Sequence, residues 1–145
     1  MAGLPHIRKI ESTDLPAVTQ LLEQLGYTIS AQELAKRYET VAEDRTHAVW
    51  VAVSDDKIVG FLHAFGRPAL EKPPEVVIQA MVVDHTMRKG GIGARLVEQS
   101  ERWAKTQGYT SIALSSHVDR ADAHAFYERL GFKTVATSRL FRKIL

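Results

Sequence analysis

One junction constrains this chain more than any other. Residues 76–83 form an almost unbroken apolar run, Arg88-Lys89-Gly90-Gly91-Ile92-Gly93 follows, and an amphipathic stretch comes next. The run is too uniformly apolar for a strand with one wet face, so it predicts a central strand. Downstream, Ile92, Leu96, Val97, Trp103 and Ala104 recur at helical spacing as far as Gly108, which predicts a helix with one buried face. A strand, a glycine loop and a helix in that order can receive an anion. Glycines let backbone approach a ligand with no Cβ in the way. The first helical turn presents N–H groups without intrahelical acceptors at the positive end of the helix dipole, and Arg88 and Lys89 add charge. The glycines alone serve equally well as a plain turn from strand to helix.

The surrounding pattern predicts an α/β domain with a mixed sheet. Residues 7–10 suggest a short strand. Leu15, Val18, Leu21, Leu22 and Leu25 then predict a helix closed by Gly26, with Pro16 tolerated in its first turn. Ser30 and Glu33 have capping-box spacing before a second helix with Leu34, Tyr38 and Val41. Residues 48–54 and 58–65 flank Asp55-Asp56-Lys57 and read as a hairpin. Beyond the glycine-loop helix, residues 112–115 suggest a strand. Asp119 is placed to cap a helix with Ala123, Phe126, Tyr127 and Leu130 on its apolar face, closed by Gly131. Residues 132–136 and 139–144 read as a final strand pair.

With 145 residues, no repeat and no long linker, the chain is expected to be one domain, 1–145. The absence of cysteine excludes disulfides, thiolate metal sites and a cysteine acyl-enzyme. It also suits a reducing, cytoplasmic setting. A net charge of +2 without a basic run gives no support for a nucleic-acid partner. Neither a signal peptide nor a membrane span is expected, and no metal site is predicted.

Two familiar phosphate loops fit poorly. A P-loop would need Lys-Ser/Thr after its last glycine, whereas Gly93 precedes Ala94-Arg95. The dinucleotide fingerprint would begin at Gly91 and Gly93 but meets Leu96 at its third glycine. The loop instead resembles the Q/R-x-x-G-x-G/A signature of the GNAT superfamily of N-acetyltransferases, with Arg88, Gly91 and Gly93 in the matching positions. Downstream, Ala123-His124-Ala125-Phe126-Tyr127-Glu128-Arg129-Leu130-Gly131-Phe132 is similar to the family's A-x-x-F-Y-E-x-x-G-F segment. The element order agrees over essentially the whole chain.

The resemblance implies a central, mostly antiparallel sheet flanked by helices and acetyl-CoA as cosubstrate. It places the pyrophosphate on Arg88, Lys89, Gly90, Gly91, Ile92, Gly93 and Ala94. It runs the pantetheine arm along Met81, Val82 and Val83, whose backbone would polarise the thioester carbonyl. Tyr127 matches the tyrosine that protonates or polarises the departing thiolate; from its position alone it reads as a core residue. Arg120 stands where many relatives carry Asn, which points it toward a CoA phosphate instead. His124 shares that helix side and reads first as structural.

Acetyl transfer to a primary amine also needs a neutral amine. A lysine-like amine with a pKa of about 10.4 is neutral in roughly one molecule per thousand at pH 7. The 76–83 strand holds no carboxylate, so Glu75, Asp84, His85, His117, His124 and a water placed by Gln79 all stand as candidate bases. Tyr27, His63, Arg67 and Glu75 are the candidates for the acceptor's border. The segment 115–127 is similar to that of some aminoglycoside acetyltransferase-like members. Homodimerisation is implied by the family alone. Two other readings stay open at this point: an acetyl-CoA-binding regulatory module with weak or no turnover, and a generic nucleotide-phosphate binder.

Overall fold

A single ion pair ties the first strand to the helix after it. In the computed structural model, which describes residues 5–145, Arg8 lies on β1 (His6–Lys9) and Asp14 ends a short 3-10 turn, Ser12–Asp14, leading into α1 (Leu15–Gln24). The guanidinium donates twice to the Asp14 carboxylate, at 2.7 and 2.9 Å, and the Glu11 N–H donates to the same group at 2.8 Å. Asp14 is buried, so an unpaired charge there would be costly. The Arg8 hydrogen bonds, with help from Glu11, outweigh burial and hold its carboxyl below the usual carboxylate range.

The second helix, α2 (Ala31–Glu43), starts as the sequence suggests, with the Ser30 hydroxyl accepting from the Glu33 N–H at 3.1 Å. Then β2 (His47–Ser54) and β3 (Lys57–Arg67) form the hairpin. Its turn is the two residues Asp55 and Asp56, both at positive φ (50° and 63°), because Lys57 already pairs with Ser54. β4 (Glu75–Val83), α3 (Ile92–Thr106), β5 (Ile112–Ala113) and α4 (Ala121–Arg129) complete the regular elements among the described residues.

The sheet order is β1-β2-β3-β4-β5, antiparallel except for the β4–β5 pair. The strands alternate their faces. Val49, Val51, Phe61 and Val82 meet Val18 and Leu21 of α1 on one side. On the other, Trp50 packs edge-to-face on Trp103 of α3, ring centroids 5.8 Å apart. Gly60 lets α3 sit directly on β3: a Cβ there would lie 3.1 Å from Leu96 Cδ1 and 3.2 Å from Ile92 Cγ2. Ser100 is buried in α3, where its hydroxyl donates to the Val97 carbonyl at 2.6 Å.

The chain divides after Leu114 into this sheet unit and a smaller unit, Ser115–Leu145. The smaller unit corrects two expectations. Arg120, not Asp119, is the residue before α4, and no side chain caps that helix. The backbone turn from His117 O to Arg120 N ends one residue later than the sequence suggested. The final strand pair is also absent: residues 132–145 have no regular secondary structure. Strand propensity requires a partner edge to become a strand, and this segment pairs with none within the described chain.

The Arg8–Asp14 pair has a defined pH signature. A depressed folded pKa contributes stability that is present at neutral pH and lost as pH falls through it. Asp14→Asn should destabilise the protein by about 1–3 kcal/mol at pH 7. That difference should start to shrink as pH falls past about 4, the unfolded carboxylate's value, and vanish only below the depressed pKa of folded Asp14. Urea unfolding at pH 7 and pH 3 measures both values; an equal loss at the two pH values would show that the ion pair is not the source.

Candidate active site

The site begins with a register shift. β3 and β4 pair as His63 with Ala80 and then as Ala64 with Ile78, so Gln79 is an extra residue on β4. Such a bulge bends the strand that carries it and increases local twist. On its other edge β4 meets β5 at Val76–Ile112 and Val77–Ala113 only. From Ile78 to Val83 that edge has no strand beside it among the described residues. Met81, Val82 and Val83 therefore lie on a β4 segment with an open backbone edge, which an extended amide-bearing ligand could join as an added strand.

β4 runs straight into the glycine loop. Asp84 accepts from the Thr86 N–H (2.9 Å) and hydroxyl (2.8 Å), which shapes a 3-10 turn at His85–Met87. Gln24 fixes that turn to the end of α1 by accepting from the His85 N–H at 2.9 Å. Arg88 is extended, and its Nε donates to the Val83 carbonyl at 3.3 Å. Lys89 takes a left-handed conformation (φ 70°), and so does Gly91 (φ 83°), the residue before α3. No side chain caps α3, and a Cβ on Gly91 would meet nothing within 4 Å. Ile92, Gly93 and Ala94 thus begin a helix whose first N–H groups have no intrahelical acceptor, beside Arg88 and Lys89.

The candidate bases divide by what already holds them. Glu75 accepts from Arg67 (2.7 Å) and Ser111 (3.2 Å), with the Lys72 ammonium at 3.5 Å. Burial pushes its carboxyl up, but these partners outweigh burial and hold it low. Asp84 is held low by its Thr86 hydrogen bonds. Both are therefore weak bases committed to local structure. Arg67 and Glu75 sit directly opposite each other in the β3–β4 register, and Tyr27 is well exposed after α1.

His63 has a partner that the sequence reading did not pick out. His47 Nδ1 and His63 Nε2 lie 2.8 Å apart, the rings stack at 5.1 Å, and Phe65 stacks on His47 at 5.2 Å. Burial, reinforced by His47, pushes the His63 pKa down to about 4, so the ring is neutral at pH 7. The pairing follows from hairpin register: His47 opposes Phe65 and Val49 opposes His63, which leaves the two histidines as diagonal neighbours. The Asp55-Asp56 turn alone did not carry that signal, because a register shift between Ala52 and Val53 moves the pairing by one residue before it reaches His47.

In the smaller unit, Arg120 precedes α4, and His124 donates from Nε2 to the His117 carbonyl at 2.7 Å. That bond fixes the loop before the helix, a structural role. Tyr127 packs edge-on against Phe126 and Phe132, at 5.3 and 5.9 Å. Burial pushes its phenol pKa up, and the Arg120 cation offsets part of that, so the hydroxyl remains protonated at neutral pH. Among the described residues, no group of three or more His, Asp or Glu is arranged to hold a metal, and no helix is long and apolar enough to cross a membrane.

Comparison with known proteins now bears on these features. The Acetyltransferase (GNAT) family pattern matches residues 7–132. The chain is 28% identical to aminoglycoside N(6')-acetyltransferase type 1 of Klebsiella aerogenes, covering 100% of both chains. It is 25% identical to the uncharacterized N-acetyltransferase YhdJ of Bacillus subtilis strain 168, over 95% of this chain and 97% of that one. The structure of AAC(6')-Iy in complex with the bisubstrate analog CoA-S-monomethyl-acetylneamine superposes with a TM-score of 0.88 at 20% identity, covering 99% and 100% of the two chains, which shows a shared fold. The chain belongs to the acetyltransferase (GNAT) family and is an acetyl-CoA-dependent N-acetyltransferase.

Proposed function

We propose that the protein transfers the acetyl group of acetyl-CoA directly to a primary amine in a ternary complex. The observation that carries this reading is the open edge of β4 beyond Val77, leading into the uncapped start of α3 at Gly91. The pantetheine arm would pair with Met81, Val82 and Val83, whose backbone groups would orient the thioester carbonyl. The pyrophosphate would lie on residues 88–94, with Arg120 contributing charge to a CoA phosphate. The amine attacks the thioester carbon, and the tetrahedral intermediate collapses by breaking the C–S bond. Tyr127 is the proposed donor to the leaving sulfur. A phenol at about 10 and a thiol at about 8.5 make full transfer uphill in solution, so its hydrogen bond matters most as charge builds on sulfur. The chain's lack of cysteine supports direct transfer.

The family match crosses the boundary after Leu114, which supports reading residues 1–145 as one catalytic domain. A water-mediated route for the amine proton fits the site better than Glu75 or Asp84, because both carboxylates are held by other partners. We take small polyamines of the aminoglycoside type as the first acceptor class to test, following the relatives' names. A cytoplasmic setting suits a chain that needs no oxidising compartment.

Thiol release from acetyl-CoA across aminoglycosides, amino acids, small amines and peptides tests the reaction; with no cysteine in the protein, a thiol reagent reports CoA alone. Acceptor-dependent release is expected, and tight acetyl-CoA binding without release for any acceptor would favour a regulatory binder. Tyr127→Phe should lower kcat by roughly a hundredfold with acetyl-CoA affinity nearly unchanged; undiminished turnover removes Tyr127 from the mechanism. Gly91→Val places a branched side chain at a left-handed position, a strain of about 1–2 kcal/mol, and blocks the loop. Calorimetry should show acetyl-CoA binding weakened by about tenfold or more, and wild-type affinity would refute the pyrophosphate assignment.

A further inference from the structure

We propose that Asp44, His47 and His63 act together as the base that takes the first proton from the acceptor's ammonium group and stores it on His47. The proposal rests on the ternary-complex reading above and names the group behind its water-mediated proton route. The three side chains are strung end to end. Asp44, just after α2, accepts at Oδ1 from the Thr46 hydroxyl (2.7 Å) and N–H (2.9 Å), which hold its carboxyl below the usual carboxylate range. Its Oδ2 faces His47 Nε2 at 3.8 Å, and His47 Nδ1 meets His63 Nε2 at 2.8 Å. His63 Nδ1 has no hydrogen-bond partner among the described residues.

The carboxylate decides where the protons sit. The bond between the rings holds one proton, and with both rings uncharged each carries a single N–H. A bare His47 Nε2 would set two acceptors against each other at Asp44, so the carboxylate selects the form with the proton on Nε2. His47 Nδ1 is then the acceptor, His63 Nε2 the donor, and His63 Nδ1 is left with a free lone pair. That ring stands beside the groove. His63 pairs with Ala80, next to the Gln79 bulge, and Ala80 puts only a methyl group between the ring and the open edge of β4, about 5 Å beyond. A water bridging that gap takes the ammonium proton and passes its own to His63 Nδ1. As it does so, His63 Nε2 gives its proton to His47 Nδ1, and the amine keeps the electron pair with which it attacks. The positive charge therefore rests on His47 beside Asp44, and His63, too buried to hold a charge, stays neutral. His47 lines an open cavity of about 130 Å3 whose other titratable groups are Lys9 and Tyr38, with room for water to solvate that charge. Once product leaves, the stored proton returns by the same path to solvent.

Histidine 15N NMR and pH-dependent kinetics on the full chain test this. At pH 7 wild-type His63 should carry its proton on Nε2. Asp44→Asn turns an N–H donor toward His47 Nε2 and should move the His63 proton to Nδ1; Asp44 is exposed, so this variant keeps the fold even where His63→Gln disturbs the core. With the acceptor identified by thiol release, kcat/KM at pH 7 should fall roughly a hundredfold in His63→Gln and about tenfold or more in Asp44→Asn. Acetyl-CoA affinity should stay unchanged in both. Each deficit should shrink toward zero near pH 10, where a lysine-like amine loses its proton unaided; a deficit that is the same at every pH marks a structural role and overturns the proposal. Wild-type His63 with its proton on Nδ1, or full turnover by Asp44→Asn, overturns it too and leaves the acetyl-transfer reading standing. A wild type that releases CoA to no acceptor overturns that reading itself, and the base with it.

Discussion

Backbone hydrogen bonding along β4 sets the terms for the rest of the molecule. β4 spends its first residues on β5 and then, bent by the extra residue Gln79, continues to Val83 with one edge unpaired. Peptide groups left without partners away from water are costly, so an arrangement of this kind persists where a ligand or solvent completes it. The elements around β4 hold it in that posture. β3 pairs along its other edge, α3 packs against Gly60 of β3, and Gln24 fixes the turn after β4 to the end of α1. Rigid flanks around an open edge are the physical definition of a preorganised groove.

Electrostatics near this groove are notable for how few groups are left uncommitted. Glu75 and Asp84, at the two ends of β4, are held by hydrogen-bond donors that lower their basicity. His63 is neutral and bonded to His47. Charge has been used to shape the backbone, and the chemistry proposed for the site relies on dipoles and on one protonated phenol. Acyl transfer suits such a site, because the thioester is already activated and the charge that develops is spread over oxygen and sulfur.

Much of this was readable from residues alone, for physical reasons that differ between parts. The apolar run of β4, the glycine loop and the amphipathic face of α3 are local patterns fixed by periodicity, and each formed as expected. The Ser30 cap and the Asp55-Asp56 turn likewise depend on neighbours in sequence. Three features do not. The bulge at Gln79 arises from two strands choosing a register, the His47–His63 pair from the geometry of a completed hairpin, and the early end of β4–β5 pairing from that same bend. The segment 132–145 shows the limit most clearly. Its composition favours strand, but a strand requires an edge, and the edge is supplied by tertiary or quaternary structure.

The turn at Asp55-Asp56 has a consequence for how the molecule assembles. β2 and β3 are joined by two residues, so their pairing closes a very small loop and can form on a microsecond scale. β5 reaches β4 only after the whole of α3 has been laid down between them, and such distant pairings are slow because chain entropy must be lost before any contact forms. The sheet therefore grows outward from its antiparallel centre. The cleft between β4 and β5 closes late, so a newly made chain acquires its groove only once α3 is in place.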